Sequence, residues 1–199
     1  MSAVVEHMGL VYRLVIAVDI ANYSRLDMFD QSRIQARLDE VLARAARETG
    51  LDRADWDRQP RGDGELAVLP QDTDVAHVVA GFSARLAWEL HKLRQSEPTE
   101  PRLRLRLAMH HGTMAPGRFG PVGAAPIVAC RLLDAPVVRG QLTMSPDRDL
   151  VLVISGRLFD DVVLTRFNGL GPQGFQPFRV DVKGVGYDGY VKLVDGGER

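Results

Sequence analysis

A single cysteine, Cys130, stands among 199 residues, so no disulfide forms within the chain. Its neighbours Val128, Ala129, Leu132 and Leu133 predict a buried thiol, and the lack of a disulfide framework favours the cytoplasm. No apolar run approaches the roughly 20 residues that span a bilayer, which argues against a membrane partner. Met1 to Leu10 lack the basic start and apolar middle of a secretory leader. Neither charge is in excess: 25 Lys and Arg face 26 Asp and Glu, for a net charge of −1. That balance leaves no basic footprint for nucleic acid. Internal repeats and low-complexity tracts are absent as well. The chain is therefore expected to hold a disordered stub (1–10), one domain (11–195) and a short tail (196–199).

What is present is alternating strand and helix signal. Tyr12 to Val18 is β-branched and nearly all apolar, as in a central buried strand. Ile34, Leu38, Val41, Leu42 and Ala45 then recur at helical spacing, and Gly50 ends that helix. Leu66 to Leu69 is a short strand, with Asp55 to Gln59 as its hairpin partner across the Pro60–Gly64 turn. A second helix is predicted from about Asp72 or Asp74 to Gln95, and Pro98 and Pro101 mark a loop. Arg102 to Leu107 alternates arginine with leucine, as in a strand with one wet or partner-facing side. His110-His111-Gly112 is expected to close it.

Gly117 to Gly123 reads as a loop. Ile127 to Leu133 reads as a short helix stopped before Pro136. Leu150 to Ile154 is a buried strand, and Ser155 caps a helix reaching Val163. Phe178–Val182 and Tyr187–Leu193 form a closing hairpin. This order predicts an α+β, ferredoxin-like (palm-like) sandwich: a mostly antiparallel sheet covered by helices.

Two aspartates sit in distinctive frames. Asp19 ends the run Leu14-Val15-Ile16-Ala17-Val18-Asp19, and Asp63 lies in Arg61-Gly62-Asp63-Gly64-Glu65. Both fall at a strand end or turn, where side chains can converge. Two converging carboxylates can hold divalent metal against a triphosphate. Alone, Asp19 reads equally as a turn residue and Asp63 as part of a plain Asp-Gly hairpin. Alternation would put Glu65 on the side of Asp63. His110 and His111 are adjacent on a strand and point to opposite faces, so they do not chelate one ion together. His77 and His91 read as surface residues. Trp56 and Trp88 read as core or interface.

Laid out in this order, the chain resembles class III nucleotidyl cyclases over about residues 12–194. Val18 to Ser24 resembles the family's first-metal motif, and Arg61-Gly62-Asp63-Gly64 its second-metal hairpin. Leu105 to Gly112, Gly123 to Arg131 and Val182-Lys183-Gly184 fall where three further family motifs stand. The resemblance implies NTP cyclisation to a 3′,5′-cyclic nucleotide and pyrophosphate, in a homodimer with its active sites at the subunit interface. It implies two Mg²⁺ or Mn²⁺ ions on Asp19 and Asp63, assisted by the Ile20 carbonyl. The amides of Ala21, Asn22 and Tyr23 would cradle phosphates. Arg131 would stabilise the transition state, with Lys183 as a further catalytic cation. A bland reading pairs Arg131 with Asp134 and leaves Lys183 in solvent.

Three positions depart from the family. Gln59 replaces the purine-selecting lysine, Ala124 and Ala125 stand at its base-binding partner, and Ile127 replaces the ribose-orienting asparagine. The phosphate and metal half is kept, and the base and sugar half is rebuilt. Gln59 offers a donor and an acceptor, which suits a pyrimidine edge. Pyrimidine cyclases of bacterial antiphage signalling belong to this superfamily, so cUMP or cCMP is one expected product. The alternative is an inactive homology domain that binds nucleotide or mediates dimerisation.

Overall fold

The first strand, β1 (Val11–Ile20), follows the β-branched run at the head of the chain. The computed structural model describes residues 9–98 and 101–197. Most of the expected N-terminal stub therefore lies outside the described residues.

After β1, Asn22 takes the left-handed conformation (φ 61°) and opens a single turn, Tyr23–Arg25. The helix α1 (Met28–Glu48) begins at Asp27, whose carboxylate accepts from the Asp30 amide at 2.8 Å. It buries Ile34, Leu38, Val41, Leu42, Ala45 and Ala46, then ends before Gly50, whose φ of 69° suits glycine. The hairpin β2 (Asp57–Arg61) and β3 (Gly64–Val68) follows.

Asp74 caps the next helical stretch, α2 (Val75–His77), which runs through a π turn (Val78–Phe82) into α3 (Ser83–Ser96). The strand β4 (Leu105–Met114) continues past His110-His111-Gly112, which therefore do not close it. Two helices come next, α4 (Ala124–Leu133) and α5 (Pro136–Met144). As expected, α4 stops before Pro136, but that proline also starts a further helix, α5. Proline is favoured in a first helical turn because its missing N–H is unpaired there anyway. The chain closes with β5 (Leu150–Ser155), α6 (Gly156–Asp161), β6 (Gln176–Val182) and β7 (Val185–Val194). Ser155 caps α6, as expected, by accepting from the Leu158 amide.

The seven strands form one sheet in the order β2-β3-β1-β4-β5-β7-β6. Among the described residues only β4 and β5 pair in parallel, so the sheet is mostly antiparallel and the α+β expectation holds. Period-2 alternation splits β1 between two cores. Leu14, Ile16, Val18 and Ile20 pack under α1, α3 and α6. Val15 and Ala17 join the other core, with Ala129 and Leu132 of α4 and Val138 and Leu142 of α5. Asp19 continues the second series and so faces the side that α4 covers.

Trp56 and Trp88 differ in kind. Trp56 is core, edge-on to Phe82, whereas Trp88 is half-buried and stacks on His91. His77 is exposed, as expected of a surface residue, with its Nε2 lying 2.9 Å from the Thr49 carbonyl, whereas His91 is half-buried.

Candidate active site

Antiparallel pairing brings the two motif aspartates together. Asp19 lies opposite Gly64 of β3 on one side and Arg106 of β4 on the other. Asp63 sits in the β2–β3 turn, and its carbonyl accepts from the Ile20 amide at 2.7 Å. The hairpin approaches β1 so closely that a Cβ on Gly64 would stand 1.9 Å from the Val18 carbonyl oxygen. Only glycine fits there. Gln35 of α1 clamps the turns from outside, donating to the Tyr23 hydroxyl at 2.6 Å and to the Gly62 carbonyl at 2.5 Å.

Arg106 holds Asp19 with both arms. Its Nε donates to Oδ1 at 2.6 Å and its Nη2 to Oδ2 at 2.8 Å. Burial pushes the Asp19 carboxyl above the usual carboxylate range, Arg106 pulls it back, and the neighbouring Asp63 charge pushes it up again. The Asp63 turn lies close enough to the end of β1 for its charge to act on Asp19. Asp134, at the end of α4, adds to it while holding Arg139 at 2.6 Å.

Hard carboxylate oxygens suit Mg²⁺ or Mn²⁺. No cluster of three or more His, Cys, Asp or Glu that could hold a metal exists among the described residues. Asp19 and Asp63 would thus need phosphate or water oxygens to complete a shell. The donor set fits a metal that arrives with a phosphate ligand.

The other expected residues are placed as follows. Ile20 is buried at the strand end. The Ala21 amide donates to the Arg104 carbonyl at 2.9 Å, which removes it from the expected phosphate cradle and leaves Asn22 and Tyr23. Left-handed Asn22 followed by helical Tyr23 is the backbone form of an anion nest.

Gln59, Ile127 and Arg131 line one open groove of 520 Å³, together with Arg61, Leu66 and Asp134. Ala124 and Ala125 do not line it. Ala124 is exposed at the start of α4, and Ala125 is fully buried, facing Gly112 of β4. Cys130, expected to be buried, is half-buried and lines the groove. Lys183 lies in the β6–β7 turn, at the opposite edge of the sheet from β2 and β3. It is exposed and stays apart from Asp19 within one protomer.

Three further expectations change. Glu65 does not join Asp63. It turns toward Arg53, 3.0 Å away, because Asp63 lies in the turn, where strand alternation does not apply. The arginine row is not a solvated face. Arg102 pairs with Asp149, Arg104 donates to the carbonyls of Leu142, Ser145 and Arg148, and Arg106 takes Asp19. Arg131 does not pair with Asp134, which holds Arg139. Arg106 is the site residue that sequence reasoning passed over; its signal was the same alternation, which puts it on the face of Asp19.

His110 is the packed member of the histidine pair. Its Nδ1 lies 2.7 Å from Ser155 Oγ, and burial, with Arg157 and His111 adding, lowers its pKa to about 4. His111 is half-buried against the Tyr12 ring.

No protein-family model and no curated protein matches the chain. Solved structures do. The guanylyl cyclase Cya2 is 14% identical, with a TM-score of 0.65 over 96% of this chain and 95% of that one. An adenylate/guanylate cyclase/hydrolase from Silicibacter pomeroyi is 21% identical, with a TM-score of 0.62 over 94% and 99%. The catalytic core of a rhodopsin-guanylyl cyclase with converted specificity, in complex with ATPαS, is 17% identical, with a TM-score of 0.63 over 94% and 99%. The chain thus has the fold of the class III nucleotidyl cyclase catalytic domain. No helix among the described residues is long and apolar enough to cross a membrane.

Proposed function

We propose that the protein is a cytoplasmic nucleotidyl cyclase that converts an NTP to a 3′,5′-cyclic nucleotide and pyrophosphate. The observation that carries this reading is the convergence of Asp19 and Asp63 on a cyclase fold. Arg106 balances the charge of Asp19 alone, so the second carboxylate, Asp63, leaves a negative charge that a bound cation would neutralise.

Two Mg²⁺ or Mn²⁺ ions bound there would activate the ribose 3′-hydroxyl and neutralise charge on the phosphates. Asp19, Asp63 and the Ile20 carbonyl are the groups that would hold them. The Asn22–Tyr23 nest would orient the terminal phosphates with its amides. Arg131 would meet the charge that develops on phosphate oxygens as the 3′-oxygen attacks the α-phosphorus and pyrophosphate leaves. Lys183, remote within one protomer, would reach phosphate only across a homodimer interface. The base-binding half, with Gln59 in place of a purine-selecting lysine, leans to UTP or CTP.

A second reading, an inactive nucleotide-binding or dimerisation module, is favoured by one observation. Ile127, half exposed in the groove, cannot supply an amide's hydrogen bonds to a ribose. Incubation of the protein with ATP, GTP, CTP or UTP plus Mn²⁺, with mass spectrometry of the products, separates the two. A cyclic monophosphate that disappears in Asp63→Ala is the expected result. No product from any of the four, from a folded dimer, supports the module instead.

A further inference from the structure

Gln59 is poorly placed to read a base. Its Nε2 donates to the Phe119 carbonyl at 2.7 Å, and Gly120 packs so closely that a Cβ there would sit 1.1 Å from the same nitrogen. The side chain fastens the 115–123 loop, whose ends are joined by the Ala115–Val122 bridge. Ala124 and Ala125 carry no hydrogen-bonding side chain and do not line the groove.

Arg61 is in the opposite position. It lies two residues beyond Gln59 on β2, opposite Gly64 as Gln59 is opposite Leu66, so both side chains address the groove face. It is exposed, lines the groove, and has no hydrogen-bond or ion-pair partner among the described residues. The walls around it, Leu66, Val122, Pro126 and Ile127, are apolar and would take the faces of a planar ring without competing for its edge.

Resting on the nucleotide reading above, we propose that Arg61 is the specificity-determining residue and that it selects a keto-bearing base. A guanidinium only donates. Directed at C4 of a pyrimidine or C6 of a purine, it is satisfied by a keto oxygen there, whereas an exocyclic amino group turns a donor against a donor. Uracil and guanine present a keto oxygen where cytosine and adenine present an amino group. Arg61 therefore favours UTP over CTP and GTP over ATP, and the size of the base is decided elsewhere in the groove.

The test is equilibrium binding, in Mn²⁺, of the α,β-methylene analogues of UTP, GTP, CTP and ATP and of inorganic tripolyphosphate. Wild type is compared with Arg61→Ala and Arg61→Lys. Arg61 has no side-chain partner among the described residues to lose, and circular dichroism checks that the variants are folded. The keto member of at least one size-matched pair should bind about tenfold or more tighter than the amino member. That ratio should fall to near one in Arg61→Ala and partly recover in Arg61→Lys, while tripolyphosphate binding stays unchanged. Which keto analogue binds tighter tells uracil from guanine. An equal loss for tripolyphosphate and nucleotide would make Arg61 a phosphate ligand and overturn the proposal. So would a ratio that survives Arg61→Ala. Wild type binding neither nucleotide nor tripolyphosphate would instead bring down the nucleotide reading itself, and this inference with it.

Discussion

Asp19 and Arg106, with side chains 12% and 13% exposed, grip each other through two hydrogen bonds. Arg61 and Arg131, in the adjoining groove, grip nothing among the described residues. The carboxylate end is built on strands and is internally neutralised, so its geometry is set before any ligand arrives. The groove end is built from a hairpin edge, a loop and a short helix, and it keeps its cations uncommitted. A charge already paired holds position. A charge left unpaired is available to a ligand and adds little to the fold.

The largest effects should fall at the carboxylate end, and they should divide. Asp63→Ala removes a half-buried turn side chain whose backbone bond to Ile20 survives. Activity should drop by about a thousandfold or more, the scale on which preorganised charge stabilisation acts, with stability within about 0.5 kcal/mol of wild type. Asp19→Ala should lose activity equally and also strand the Arg106 guanidinium, at a cost of about 3–5 kcal/mol. Turnover assays with urea unfolding of both variants check this. Equal stability in the two variants would mean that the Asp19–Arg106 pair does not brace the carboxylate end.

Gly64→Ala tests the brace from the backbone side. With a methyl group directed at the Val18 carbonyl, the hairpin has to move off β1, carrying Asp63 away from Asp19. A loss of about 3 kcal/mol is expected from the overpacking, together with weaker Mn²⁺ binding by calorimetry. The same substitution at Gly62, where a Cβ meets nothing within 4 Å, is the control.

These two ends were not equally legible in the sequence. Asp19 and Asp63 were readable because each is fixed by local pattern, one by a buried strand run and one by a Gly-Asp-Gly turn. The α+β order was readable for the same reason: apolar periodicity is dictated by the core. Arg106 was visible as one of three alternating arginines, but its partner lies 87 residues away and only strand pairing names it. Gln59 was misleading because its commitment to Phe119 depends on a loop 60 residues distant. The α5 helix was hidden behind Pro136, since a proline both ends one helix and begins another.

A neutral pair on the same face offers a second contrast with the Asp19–Arg106 ion pair. His110 is 7% exposed, bonded to Ser155, with its pKa lowered to about 4 from an ordinary 6.5. The unfolded chain takes up this proton below pH 6.5 and the folded chain does not until about pH 4. Stability from His110 is therefore fully present above pH 6.5 and is lost as the pH falls toward 4, by up to about 3 kcal/mol. His110→Gln keeps a hydrogen-bonding side chain beside Ser155 without a titrating group. Its unfolding free energy should vary less between pH 7 and pH 4.5 than that of wild type, measured by denaturant titration at each pH.

The smallest effect is expected at Ile127, where the groove's departure from the cyclase pattern is least compensated. The side chain is 50% exposed on the groove-facing side of α4, so Ile127→Asn should leave stability within about 0.5 kcal/mol of wild type. If the groove receives a ribose, the added amide supplies a hydrogen bond worth about 1 kcal/mol, and kcat/KM for the favoured NTP should rise several-fold. The rise should be lost in the Asp63→Ala background, because it acts only through a site that turns over. An unchanged or lower kcat/KM would show that the apolar side chain is itself part of the fit. The groove would then be shaped for a ligand whose sugar is not held at this position, and the contrast between the braced carboxylate end and the uncommitted groove would extend to the sugar.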